Sequence, residues 1–271
     1  MMKVERLNTW REVKTFMDEL RSKGEFIWRG HSDSGWVLSS SLYRYFESQS
    51  ISDDYRGQFE KAAVAQFKNF MHKEEIQGSH NSFQTMDFMV KMQHYGCPTR
   101  LIDWTWSPYI AAYFVLPDMA EQGAVYALNI TDYQAFIGPK LPLDDYDQSL
   151  LSPLPNRIFN RFLSDPNLQY PIPIAQSASS GRVAEQQCVF LFDLVLSMKT
   201  EEILSNLPVE VLWKIEFPRD IRLDVHADLI TMNIDGAHLF GNTQGAALRA
   251  KEWLFGAKHH GHSIKTVDVD Y

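Results

Sequence analysis

A chain of 271 residues with 45% apolar side chains is long enough to bury a sizeable core and too apolar to stay disordered. A formal net charge of -8 argues against a large nucleic-acid surface, and no apolar run is long enough to span a bilayer. Cys97 and Cys188, with no Cys-x-x-Cys pair, fit a reduced compartment, and the charged start Lys3-Val4-Glu5-Arg6 lacks the apolar core of a secretory leader, so a cytoplasmic protein with no membrane partner is expected.

In chain order, Thr9-Trp10-Arg11-Glu12 spells a capping box, and Trp10, Val13, Phe16, Met17 and Leu20 make one helix face that Gly24 closes. Glu25 to Arg29 reads as a short apolar strand. It runs into Arg29-Gly30-His31-Ser32-Asp33-Ser34-Gly35-Trp36, where a guanidinium and free backbone N–H groups are expected to face a phosphate, or else a surface turn with an exposed Arg. Trp36 stands where a Walker loop needs Lys. Leu42 to Phe46 shows no clear period. Asp53 caps a long helix with Tyr55, Phe59, Ala63, Phe67, Phe70 and Met71 as its expected buried face and Arg56, Glu60, Lys61 and Lys68 in water. Gln77 to Ser82 reads as a polar loop.

The densest polar and aromatic stretch is Gln93 to Pro108, between two apolar segments. Phe88, Met89, Met92 and Tyr95 recur at helix spacing after Thr85, and Gly96 supplies a left-handed stop. Thr99 to Trp104 reads as a short strand, and Ser107-Pro108 starts a helix that is apolar on all sides up to Leu116. His94, Thr99, Arg100, Asp103 and Trp104 are thus carried into the middle of the fold. Each taken alone also fits a satisfied core residue; their concentration points to a site lining. Asp103 is expected to pair with Arg100 or Arg29, because burying either charge alone is costly.

Gly123 to Ile130 reads as a strand buried on both faces. Seven prolines between 131 and 176 predict a long irregular excursion, with one short helix around Arg157 to Phe162. A small-residue loop, Ser177 to Gly181, leads through Arg182, Glu185 and Gln186 into the strand Val189 to Phe192. Val211 to Phe217 is a further strand, Ile221, Val225 and Leu229 mark a helix, and Asn242 to Phe255 is the last helix. His259-His260-Gly261-His262 reads as a solvated tail, and no metal-ligand spacing occurs, so no metal is expected.

Three segments together resemble the FRG domain family. Trp28-Arg29-Gly30-His31-Ser32-Asp33 is similar to its aromatic-Arg-Gly signature, with Trp where Phe or Tyr is usual; Gln93 to Thr105 is similar to its second motif; and Arg182 to Phe190 to its third, with Cys188 in place of Gly. The resemblance implies a single α+β domain over 1–271, with a motif core at about 20–200 and a helical C-terminal part at about 206–271, where Asp235 to Gly241 is weakly similar as well. More distantly the arrangement resembles ADP-ribosyltransferases, whose NAD site opens on an aromatic-Arg-Gly strand end and closes on a later Glu or Gln. That likeness implies a mixed or antiparallel sheet forming a central cleft surrounded by helices. The Ser-Thr-Ser triplet and Glu-x-Glu pair of one branch are absent, and the histidine–tyrosine–glutamate pattern of another is not clearly met.

Breaking the nicotinamide–ribose bond builds positive charge on the sugar. It needs an acceptor near the sugar, a cation for the pyrophosphate and an aromatic face. On the resemblance, Glu185, Gln186 and Arg29 are the expected catalytic residues. Gly30, His31, His94, Tyr95, Thr99, Arg100, Asp103, Trp104 and Arg182 are expected to line the ligand. The expected function is an NAD-binding ADP-ribosyltransferase or NAD glycohydrolase, with NAD as substrate and an unidentified macromolecular acceptor. A non-catalytic nucleotide-sensing module is the alternative, and a metal-dependent nuclease using Asp33, Asp103 and Glu185 a further one. Strand ends at Arg29, at Thr99 to Asp103 and at Glu185 to Gln187 are expected to converge on one cleft.

Overall fold

The computed structural model describes residues 2–71, 85–141, 168–175 and 185–256. Its elements, in chain order, are β1 (Lys3–Arg6), α1 (Trp10–Arg21), β2 (Phe26–His31), α2 (Ser41–Ser48), α3 (Asp53–Phe70), α4 (Thr85–His94), β3 (Leu101–Thr105), α5 (Pro108–Val115), β4 (Gln122–Asn129), α6 (Ile130–Ile137), β5 (Ile172–Ala175), β6 (Cys188–Phe192), α7 (Thr200–Ser205), β7 (Leu212–Pro218), α8 (Arg222–Thr231), α9 (Gly236–Phe240) and α10 (Thr243–Gly256). The strands form one open sheet of seven among the described residues, in the order β1-β7-β4-β2-β3-β6-β5. All neighbours run antiparallel except β1 and β7, which are parallel, so the fold is α+β on a mixed sheet.

Strand alternation sorts the core into two layers. Phe26 and Trp28 of β2, Val125 and Ala127 of β4, and Ile215 and Phe217 of β7 face one way, onto Val13 and Met17 of α1, Ala111 of α5 and Val225 of α8. Ile27, Ala124, Tyr126 and Leu128 face the other way, into a cluster with Trp104, Val64, Met89, Met92 and Tyr133. Several local signals act as the side chains dictate. Thr9 Oγ1 accepts from Glu12 N while the Glu12 carboxylate accepts from Thr9 N, which closes the capping box. Ser107 caps α5 with Pro108 in its first turn. Gly96 takes φ +85° and stops α4.

Two elements depart from expectation. In α3 the buried residues are Arg56, Glu60 and Val64, while Tyr55, Phe59 and Phe70 are exposed. The helix is turned because Glu60 meets Arg100 and Arg56 meets the carbonyls of Ile51 and Leu196, and those bonds outweigh the burial of three aromatic rings. The expected irregular excursion from 131 holds α6 and β5; Arg157 to Phe162, Gln77 to Ser82, Ser177 to Gly181 and the C-terminal histidines lie outside the described residues. Leu42 to Phe46 is helical, capped by Ser40 Oγ accepting from Tyr43 N at 3.2 Å. Among the described residues no helix is long and apolar enough to cross a membrane.

The site is positioned by how α5 lies on the sheet. A Cβ added at Gly30 would stand 2.1 Å from the Ala111 carbonyl oxygen, and one at Gly123 would stand 2.2 Å from a Val115 methyl. The missing side chains let α5 pack close against β2 and β4. On the far side β2 meets β3 only at Trp28 and Thr105. Beyond that pair the two strands part.

Candidate functional site

A cleft of about 220 Å³ occupies the place where β2 and β3 part. Arg29, Ser39, Ser41, Arg44, Gln93, Gly96, Cys97, Pro98, Leu101, Ile102 and Asp103 line it. Arg29 sits half-buried on β2 and bridges the gap: its Nη1 donates to the Asp103 carbonyl at 2.6 Å and its Nε to His31 Nε2 at 3.1 Å. His31 Nδ1 donates in turn to the Trp36 carbonyl at 3.4 Å. The imidazole accepts on one nitrogen and donates on the other, so it is neutral. Burial first, then the positive charge of Arg29, pushes its pKa down to about 3.

Asp103 is held at two points. Its carbonyl takes Arg29, and its exposed carboxylate accepts from Gln93 Nε2 at 2.7 Å. The Gln93 carboxamide oxygen accepts from the Thr99 hydroxyl, and Thr99 N donates to Ser41 Oγ at 3.0 Å. A hydrogen-bonded chain thus runs from α2 through Thr99 and Gln93 to Asp103. Arg44, on α2, faces Arg29 across this space and donates to the Ser39 carbonyl at 2.6 Å. Burial lowers the pKa of both arginines; for Arg29 the Asp103 carboxylate opposes the shift and Arg44 adds to it. Both remain cations, because a guanidinium does not deprotonate in a protein. Burial raises the pKa of the Cys97 thiol, so it is protonated at neutral pH.

Residues 24–123 match the family model of the FRG domain. The chain carries an FRG domain. Every residue lining the cleft lies inside the matched stretch. No curated protein and no solved structure matches the chain.

Within the FRG domain the residues expected at the site separate into groups. Arg29 and Asp103 line the cleft, with His31 and Thr99 directly behind them. Arg100 does not: it is 4% exposed, its guanidinium forms a two-pronged pair with Glu60, and its Nη1 donates to the Asp193 carbonyl at 3.0 Å. The expected Arg100–Asp103 pair is therefore replaced by Arg100–Glu60, and Arg29 meets the backbone of Asp103 rather than its carboxylate. Trp104 is 2% exposed in the core and presents no face to a ligand. Gly30 serves the contact with α5. His94 and Tyr95 are exposed at the end of α4.

Three of the backbone amides expected free for a phosphate are in use, those of Ser34, Gly35 and Trp36. Gly30 is in the ladder opposite Val125, Ser34 N donates to Gln122 O, Gly35 N to Asp33 Oδ1, and Trp36 N to Asp33 O. The third strand end does not reach the cleft lining. Gln186 is buried, donating from Nε2 to the Leu239 carbonyl at 3.1 Å and accepting on its own carbonyl from Thr105 Oγ1, at the far end of β3. Glu185 beside it is exposed, and Arg182 lies outside the described residues. Among the described residues no group of three His, Cys, Asp or Glu side chains could hold a metal, so Asp33, Asp103 and Glu185 do not assemble the nuclease centre. Arg44 and Gln93 were not expected. Gln93 stands in the second motif and could have been read from it; Arg44 lies in a segment with no period, and no sequence signal marks it.

Proposed function

We propose that the FRG domain binds the phosphate groups of a nucleotide in this cleft, with NAD as the expected ligand, and that it acts first as a binding module. One observation carries the reading: the guanidinium groups of Arg29 and Arg44 share a small, partly dry cleft with Asp103 as the carboxylate among the described lining residues. Two cations brought together out of water repel each other. A pyrophosphate relieves that repulsion and accepts parallel hydrogen bonds from a planar fork. Asp103, held by Gln93, is an acceptor for sugar hydroxyls.

A second reading is cleavage of the nicotinamide–ribose bond. Glu185, the expected anion, is not among the cleft-lining residues, so that part would fall to Asp103. In its favour, Oδ1 of Asp103 is held by Gln93, which orients the carboxylate at the cleft.

Calorimetric titration with NAD and ADP-ribose tests the first reading. Arg44→Gln is the cleaner variant, because Arg29 also braces the gap between two strands. A charge-assisted hydrogen bond contributes about 1.5–3 kcal/mol, so Arg44→Gln is expected to bind roughly tenfold more weakly or worse. Equal affinity in both proteins, or no binding by the wild type, defeats the proposal. Nicotinamide release that Asp103→Asn abolishes moves the protein to the second reading.

A further inference from the structure

Trp36 is 56% exposed although it is the bulkiest side chain in its segment. Tryptophan is highly buried on average, and an open indole offers a large flat apolar face. Its backbone, by contrast, is fixed. Its N–H donates to the Asp33 carbonyl at 3.1 Å, and its carbonyl accepts from the Tyr126 hydroxyl at 3.2 Å and from His31 Nδ1 at 3.4 Å. The indole stands edge to face with the His31 ring, 6.1 Å between centroids, and the other side of that imidazole bonds Arg29. One imidazole therefore separates an open indole from a phosphate-seeking guanidinium, much as one ribose separates base from phosphate in a nucleotide.

Resting on the phosphate reading above, we infer that Trp36 is a stacking platform for the base, and that the cleft takes a nucleoside diphosphate unit rather than bare phosphate. The backbone that carries the indole is held before the ligand arrives, so less freedom is left to lose on stacking. Tyr95, the chain neighbour of the cleft-lining Gly96, is 70% exposed, and its ring packs edge-on against His94. It has no comparable anchoring to the residues that hold Arg29.

The test titrates wild type, Trp36→Ala, Trp36→Phe and Tyr95→Ala with ADP and with inorganic pyrophosphate. The indole is largely in solvent and the anchoring bonds are to the backbone, so Trp36→Ala is expected to fold. Loss of a stacked base weakens ADP binding about tenfold, leaves pyrophosphate binding unchanged, and is largely restored by Phe. The inference falls if Trp36→Ala binds ADP as well as wild type does, if it loses ADP and pyrophosphate equally, or if Tyr95→Ala alone shows the selective loss. It also falls if wild type binds pyrophosphate but holds ADP no more tightly. Wild type that binds neither probe overturns the nucleotide reading together with this one, which separates the two failures.

Discussion

Arg29 stands on β2 and Arg100 immediately before the neighbouring strand β3, and their partners give them opposite fates. Arg100 meets a carboxylate, Glu60, inside the core and is fully engaged. Arg29 meets a backbone carbonyl and a neutral imidazole, so the Asp103 carboxylate acts on its charge without an ion pair. Removing one partner of a buried ion pair leaves a bare charge, so Glu60→Gln is expected to lose roughly 3–5 kcal/mol of stability in urea unfolding. Asp103→Asn, at an exposed carboxylate with one hydrogen bond, is expected to lose about 1 kcal/mol or less. Similar losses from both would mean that Asp103 carries a pairing equal to that of Glu60. The polar density of Gln93 to Trp104 was legible in the amino-acid sequence as a candidate lining, and seven of its residues line the cleft. Which of its charges faces the cleft was not legible, because Glu60 lies 40 positions before Arg100 and periodicity places it in water.

On β2, alternation sends Arg29 to one face of the sheet and Gly30 to the other, so one strand serves both the cleft and the packing of α5. The Ala111 carbonyl that a Cβ at Gly30 would strike belongs to helix backbone, which cannot swing aside as a side chain can. Overpacking of this kind costs roughly 1–3 kcal/mol and sometimes more. Gly30→Ala is expected to lower stability by at least that range and to weaken nucleotide binding as well, since β2 shifts with Arg29 on it. Thermal unfolding at the wild-type midpoint would show that α5 can move. The boundaries of α1, α5 and β4 were legible because caps, a Pro at a helix start and an unbroken apolar run are local signals. The identity of α2 was not, since its cap is a single Ser in a run of three and its buried face packs against Leu196, far along the chain.

Across the whole molecule, two buried titrating groups work against each other. His31 is neutral in the fold with a pKa of about 3, below its ordinary 6.5. As pH falls below 6.5 the unfolded chain takes a proton that the fold refuses, and stability drops. Asp193 is the reverse: burial, opposed by Thr200 and other partners, pushes its carboxyl up to about 6 from 3.8. The fold keeps a proton that the unfolded chain gives up, so this contribution is present below about pH 4 and lost as pH rises to about 6. Between pH 6 and pH 4 the two slopes nearly cancel. The stability difference between wild type and His31→Gln is expected to change by roughly 2–3 kcal/mol across that window, to the variant's gain as pH falls, and Asp193→Asn by a similar amount in the other direction. Parallel profiles for all three proteins in urea unfolding would contradict both assignments. The strand order of the sheet was the least legible feature, because pairing across long separations leaves no local pattern. The pairing of β1 with β7 joins residues 210 positions apart in Arg6 and Glu216. During synthesis the first strand must therefore wait, unpaired, for nearly all of the described chain to be made. Closing so long a loop is slow and comes late. The alternation of Lys3, Val4, Glu5 and Arg6 keeps that waiting edge charged, which guards the nascent chain against pairing with a neighbour before its own seventh strand arrives.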